Sequence, residues 1–265
     1  MAELFVIIGA GASHDCAGTS ALRIDESRPP LVKDLFNPDF APILHRYPLA
    51  EAASADIRLG VASESVALEK FLRERLRDSD DPYAQKRFFQ VPLYLQELLF
   101  RVGQTDGSGY TTHPDNYDAL VNACLALERV SFITLNYDTL LDQRLFIYSK
   151  LDSLVSYTNE KERWVLFKLH GSVNWGRQMN TAALVDAQAG TPVDFINRLF
   201  DERREGGVAG TITFRSKGTV EEMRYEGRSL FYPALSVPLG SADELICPKE
   251  HVDLLRDRTA GWIRK

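Results

Sequence analysis

Leu4-Phe5-Val6-Ile7-Ile8-Gly9-Ala10-Gly11-Ala12-Ser13 is the stretch on which the reading of the fold turns. Five consecutive apolar residues rich in branched side chains predict a strand buried on both faces, as in a parallel sheet, where the alternation of polar and apolar positions is lost. Gly9 and Gly11 then permit a tight turn and a close approach of the backbone to a ligand. A helix that follows offers free N–H groups and the positive end of its dipole to an anion. A pyrophosphate suits such a turn. Taken alone, the string is equally compatible with a plain turn, because the third glycine of the usual dinucleotide fingerprint is missing.

Two later segments repeat the pattern of an apolar run that ends in polar residues. Val130 to Leu135 is predicted as a strand that leads into Asn136-Tyr137-Asp138, and Leu140, Leu141 and Leu145 are spaced for a helix whose first turn carries Asp138 and Thr139. Trp164 to Leu169 is predicted as a third strand, which delivers His170 and then Gly171, where close backbone approach is allowed. An isolated Asn-Tyr-Asp after a strand reads first as a helix cap. A histidine between Leu169 and Gly171 at a strand end is poorly placed for the core and well placed for a crevice. In an open α/β sheet, ligands bind outside the carboxyl ends of the strands, so three such clusters are expected to converge.

The 265 residues, 45% of them hydrophobic, support one substantial core with room for a smaller lobe. Against 37 acidic residues there are 31 basic ones, a formal charge of −6, and no long block of Lys or Arg. Nucleic acid is therefore not expected as a direct partner. Cys16, Cys124 and Cys247 have no close pair and fit neither a disulfide framework nor a four-cysteine zinc site, so no metal and a reducing cytoplasm are expected. The first apolar run lacks the basic lead-in of a signal peptide, and no stretch approaches the ~18 apolar residues of a membrane span.

A mainly helical insertion is expected at about residues 22–128. Within it, Ala67-Leu68-Phe71-Leu72-Leu76 and Val91-Tyr94-Leu95-Leu98-Leu99 have helical spacing, Gly103 to His113 reads as a loop, and Tyr117 to Leu127 as a helix. Further on, Asp194 to Arg204 is predicted helical, Thr211 to Phe214 a short strand, and Glu250 to Trp262 an amphipathic helix. Lys217, Arg224 and Arg228 read as a solvated basic scatter, and His45, His113 and His251 as surface residues. His14 either approaches a bound phosphate or faces solvent, and Asp15 suits a helix start.

In this order, Gly9-Ala10-Gly11-Ala12-Ser13, Thr134-Leu135-Asn136-Tyr137-Asp138 and Lys168-Leu169-His170-Gly171-Ser172 resemble motifs of the sirtuin-like family of NAD-consuming domains. Pro29-Pro30-Leu31-Val32-Lys33-Asp34-Leu35-Phe36 resembles a segment that follows the glycine turn in its bacterial members. The resemblance touches residues 4 to about 175, and Phe231-Tyr232-Pro233 and Leu235 to Leu239 are compatible with it. It implies a single α/β domain over residues 1–265, with a Rossmann-like parallel sheet flanked by helices and the insertion described above. It also implies cleavage of the nicotinamide–ribose bond of NAD, taken as substrate without a metal.

That chemistry leaves an oxocarbenium-like ribose, so a site must hold the pyrophosphate, strip water from the sugar and admit one nucleophile. By the resemblance, Gly9, Ala10, Gly11, Ala12, Ser13 and Gly171 contact the dinucleotide. Asn136 then bonds the ribose or the attacking water through an amide that stays neutral. His170, with an ordinary pKa near ~6.5, is the expected general base. Asp138 either orients Asn136 or caps the helix, and capping is the stronger reading.

The three cysteines cannot supply the zinc module of the protein-deacylating sirtuins, and Thr19-Ser20-Ala21-Leu22-Arg23 departs from the sequence that those enzymes carry after the glycine turn. The expectation is thus a bacterial sirtuin-like NADase that yields nicotinamide and ADP-ribose, as an effector of anti-phage defence. An NAD-dependent protein deacylase, or a non-catalytic sensor of NAD or ADP-ribose, is the alternative. A sensor domain or partner protein and a homo-oligomer are both in keeping with it. A doubly wound fold should add a strand after the helix at 250–262. No sequence for it precedes Lys265, so the C-terminal strand is expected to be absent and this piece alone to bind NAD weakly.

Overall fold

The computed structural model describes residues 3–16, 29–64, 80–103, 115–179, 211–227, 229–236 and 246–263. In chain order its elements are β1 (Leu4–Ile8), α1 (Ala10–Cys16), α2 (Ala41–Leu44), α3 (Pro48–Glu64), α4 (Pro82–Val102), α5 (Asp115–Cys124), β2 (Val130–Thr134), α6 (Leu140–Leu145), α7 (Leu154–Tyr157), β3 (Trp164–Lys168), β4 (Gly171–Gln178), β5 (Ile212–Phe214), α8 (Val220–Arg224), β6 (Tyr225–Glu226), β7 (Ser229–Leu235) and α9 (Lys249–Ile263). The fold is mixed α/β. Three strands form a parallel sheet in the order β1-β2-β3, and four form an antiparallel sheet in the order β5-β4-β7-β6. Among the described residues, no helix is long and apolar enough to cross a membrane.

The chain divides into two compact units, one of residues 1–29, 102–172 and 245–265, the other of residues 30–101 and 173–244. This differs from a single domain with a helical insertion at 22–128. Residues 102–128, with α5, belong to the parallel-sheet unit, whereas 30–101 share the second unit with the antiparallel sheet. The reason is burial. The apolar face of α4 carries Val91, Tyr94, Leu95 and Leu98, all fully buried, and a helix so sided needs a partner layer. Part of that layer precedes α4, where Tyr94 packs on Phe36 and Tyr47, and further partners come from residues after 172. The Gln96 side-chain amide donates to the Val173 carbonyl, and the Tyr232 hydroxyl donates to the Phe89 carbonyl.

Arg224 corrects the expectation of a solvated scatter. It is buried within this second unit, and its guanidinium donates to the Gln96 side-chain oxygen at 2.9 Å, the Tyr47 hydroxyl at 2.9 Å and the Leu93 carbonyl at 2.6 Å. A planar fork with several donors can satisfy three acceptors at once, which is what lets it enter a core. Lys217 is exposed as expected. Thr19 to Arg23, the Ala67 to Leu76 pattern, residues 104–113, the Asp194 to Arg204 pattern, Arg228 and residues 237–239 lie outside the described residues.

In the parallel unit, β2 and β3 are buried along their whole length. Ile133, Val165 and Phe167 make a cluster on one side of the sheet, closed by Phe5, Leu169 and, from α9, Leu254 and Leu255. Val130, Phe132, Trp164 and Leu166 occupy the alternate positions and are equally buried, with the Phe132 and Trp164 rings edge to face at 5.9 Å. Each such side chain contributes about 1.5–3 kcal/mol of burial. The strand read first departs from expectation. Among the described residues β1 lies at one edge of the sheet, as the fully buried β3 does at the other, but Leu4 and Ile7 are exposed, Ile7 by 75%, and Ile8 is the one buried residue of β1. An apolar run reports a preference for burial, but the cover has to come from other elements.

Candidate functional site

Register brings the three motif-bearing strand ends level. Ile8 pairs with Thr134 and Thr134 with Lys168, and the ladder continues as Leu135 N–H donates to the Ile8 carbonyl and Leu169 N–H to the Thr134 carbonyl, both at 3.1 Å. Because the strands are parallel, Gly9, Asn136 and His170 leave the sheet at the same carboxyl edge.

At the first of these ends, α1 starts at Ala10, directly after Gly9, whose carbonyl accepts the Ala12 N–H at 3.1 Å. Neither Gly9 nor Gly11 has the left-handed backbone that favours glycine, and a Cβ at either would meet nothing within 4 Å among the described residues. Their missing side chains answer no need of the turn or of its packing. They leave open space beside the backbone. Gly171, after His170, is different: its φ of 84° is the left-handed region, so here glycine is needed to turn the chain out of β3 and into β4.

Asn136 is held from several sides. Its backbone N–H donates to Thr134 Oγ1 at 3.0 Å. Its Nδ2 donates to the Gly9 carbonyl at 3.0 Å and to Ser13 Oγ at 2.8 Å, and lies 3.3 Å from the Tyr117 hydroxyl. Ser13 Oγ and the Tyr117 hydroxyl are themselves 2.8 Å apart. A carbonyl can only accept, so the Gly9 contact fixes which way the amide points. Its Oδ1 is thereby turned away from these groups, buried and without a partner among the described residues, in a side chain only 6% exposed. A buried acceptor left unpaired costs about 1–3 kcal/mol, and the cost is removed by any donor that reaches it.

Asp138 supports the start of α6. Its carboxylate accepts the Leu140 N–H at 3.1 Å, which secures the first turn of that helix, and the nearby Ser13 hydroxyl favours its ionised form. Asp138 and Thr139 precede α6 and are not part of its first turn. Burial pushes the Asp138 carboxyl up from its ordinary pKa, and the Lys168 ammonium pulls it back. Lys168 is itself fully buried. Its Nζ donates to the Asp138 carbonyl and to the Asp142 carboxylate, the latter at 2.9 Å, and Asp142 also accepts the Tyr157 hydroxyl at 2.5 Å.

His170 is half-buried, and burial pulls its pKa below the ordinary 6.5, so the neutral imidazole prevails at neutral pH. Its ring centroid lies 6.2 Å from that of Tyr137, the residue between Asn136 and Asp138, with the planes tilted by 35°. Ser172 Oγ donates to the Tyr137 carbonyl at 3.4 Å. The segments carrying Gly9 to Ser13, Asn136, Asp138 and His170 are thus joined through specific contacts.

The other histidines sort differently. His14 Nδ1 lies 2.9 Å from the Pro29 carbonyl and so carries the proton of that bond. Asp15 is exposed, and His45 pairs with Glu51 at the surface. His251 corrects its surface assignment: it is buried in α9, with Nε2 donating to the Leu154 carbonyl at 2.9 Å. His113 lies outside the described residues. No group of three or more His, Cys, Asp or Glu side chains gathers as a metal site among the described residues. Cys124 is buried, and the Cys247 thiol is pushed up to about 12 by burial and then by Glu250.

Sequence reasoning passed over Tyr117, Asp142 and Tyr157, and quoted Lys168 only as part of a motif. One signal was present: a lysine between Phe167 and Leu169 interrupts an apolar strand, and a buried ammonium demands an acidic partner. Compared with models of known protein families and with curated proteins, the chain matches none.

Proposed function

We propose that the protein is a sirtuin-like NAD glycohydrolase, which hydrolyses the nicotinamide–ribose bond of NAD to nicotinamide and ADP-ribose at the carboxyl edge of a Rossmann-like parallel sheet. The observation that carries the proposal is the Asn136 side chain, clamped by its Nδ2 onto the β1–α1 turn with a buried Oδ1 left to accept a hydrogen bond. A ribose hydroxyl or an attacking water is the donor it lacks. Beside it, the space over Gly9 and Gly11 suits the close approach of a pyrophosphate to backbone. Ser13 then works indirectly, since its hydroxyl is engaged by Asn136 and Tyr117.

In this reading water attacks the anomeric carbon while the bond to the nicotinamide nitrogen breaks and nicotinamide leaves neutral. The proton lost by the water passes to the neutral ring of His170. No metal takes part. As an effector of bacterial anti-phage defence, such an enzyme would act by depleting the NAD of the cell.

The test is incubation with NAD and separation of the products. Equimolar nicotinamide and ADP-ribose, released without an acylated peptide, are expected. Release that depends on an acetylated peptide would instead make the protein a deacylase, and NAD that stays bound and is recovered intact after long incubation would favour a sensor.

A further inference from the structure

Beneath the site lies a cation that the proposed reaction does not use. Lys168 is the last residue of β3, two residues before His170, and is fully buried. Its ammonium reaches across to the loop after β2, where it donates to the backbone carbonyl of Asp138, two residues after Asn136, and to the Asp142 carboxylate of α6. We propose that Lys168 is a positioning residue, whose ammonium ties the loop that presents Asn136 to the strand that presents His170 and so sets the spacing between the two. This rests on the NAD glycohydrolase reading for its catalytic readout.

Three observations single out this role from plain charge neutralisation. First, an ammonium is a compact donor with three N–H groups, and one of its two acceptors is a main-chain carbonyl of the site loop itself, which gains nothing in charge balance. Second, Asp142 is held independently by the Tyr157 hydroxyl from α7, so the far end of the tie is anchored. Third, Asp138 follows Asn136 by two residues in the same loop, so a shift of the Asp138 backbone is passed along the chain to the amide whose Oδ1 has no partner among the described residues. Removing Lys168 alone would strand a buried carboxylate and unfold the region for trivial reasons.

The experiment therefore uses the double substitution Lys168→Met with Asp142→Leu, which replaces the buried ion pair by apolar groups of similar size, a change that is often neutral for stability. In the full chain, kcat for nicotinamide release should fall about tenfold or more while KM for NAD stays within about twofold, since geometry at the reacting centre is lost but binding is not. The Asn136 side-chain amide resonances, assigned by NMR without nucleotide, should shift and broaden. A folded double variant with unaltered kcat and unaltered Asn136 resonances would overturn the proposal.

Should the double variant not fold, Lys168→Arg takes its place. It keeps the cation but cannot set its planar fork on the same two oxygens, and the same two outcomes decide. Should the unaltered protein release no nicotinamide, the hydrolase reading fails by itself, and the amide resonances alone decide the positioning role.

Discussion

Asn136 carries more of the account than any other residue, because its amide is fixed at one end and, among the described residues, unsatisfied at the other. The glycines around it divide by the same kind of argument. At Gly171, φ of 84° means that Gly171→Ala forces a side chain into the left-handed region, at about 1–2 kcal/mol. At Gly11, within α1, the backbone is ordinary and a Cβ meets open space, so Gly11→Ala should raise stability by about 0.5–1 kcal/mol while raising KM for NAD. Thermal melts and NAD kinetics on the two variants check these opposite signs.

The histidines give a pH dependence whose sign follows from burial. His170 and His251 both have pKa values lowered from 6.5, chiefly by desolvation, so just below pH 6.5 the unfolded chain binds protons that the folded chain refuses. Their contribution to stability is complete above about pH 6.5 and is lost as pH falls through the lowered folded values. Melting temperature should drop across that window, and His251→Gln should flatten the drop. The kcat/KM for NAD should rise with pH through a single ionisation below 6.5 and lose that limb in His170→Ala.

At the scale of elements, the strands were legible to within a residue or so: Val130 to Leu135 is Val130–Thr134, and Trp164 to Leu169 is Trp164–Lys168. Their apolar residues are buried on both faces, as a run without alternation implies. The same pattern misled at β1, where Leu4 and Ile7 are exposed although β3 at the other edge is covered, because which elements cover a strand is not encoded in its local sequence. Within the site, Asn136 and His170 could be picked out by residue type at a strand end. Tyr117 and Asp142 could not, since they act on partners dozens of residues away in the chain and sit in ordinary helical patterns. Phe167 shows how much the covered part of the sheet contributes: fully buried between β2 and α9, it should cost about 3–5 kcal/mol as Phe167→Ala, read by denaturant unfolding.

For the whole molecule, one unit assembles the candidate site from three stretches of chain, residues 1–29, 102–172 and 245–265. The site residues come from the first two, and the third supplies α9, whose Leu254 and Leu255 pack on the sheet that aligns the strand ends. That α3 and α4 belong to a second unit with its own sheet was not legible, since that sheet follows only after residue 172 and an amphipathic helix does not name its partner. The central claim concerns a single reaction at the shared strand edge. It is tested most directly by measuring nicotinamide release from NAD by the purified protein beside its Asn136→Ala and His170→Ala variants, with folding checked by thermal melting. The account predicts release by the unaltered protein and a loss of about 10²-fold to 10⁴-fold in each folded variant. Undiminished release from both folded variants would contradict it.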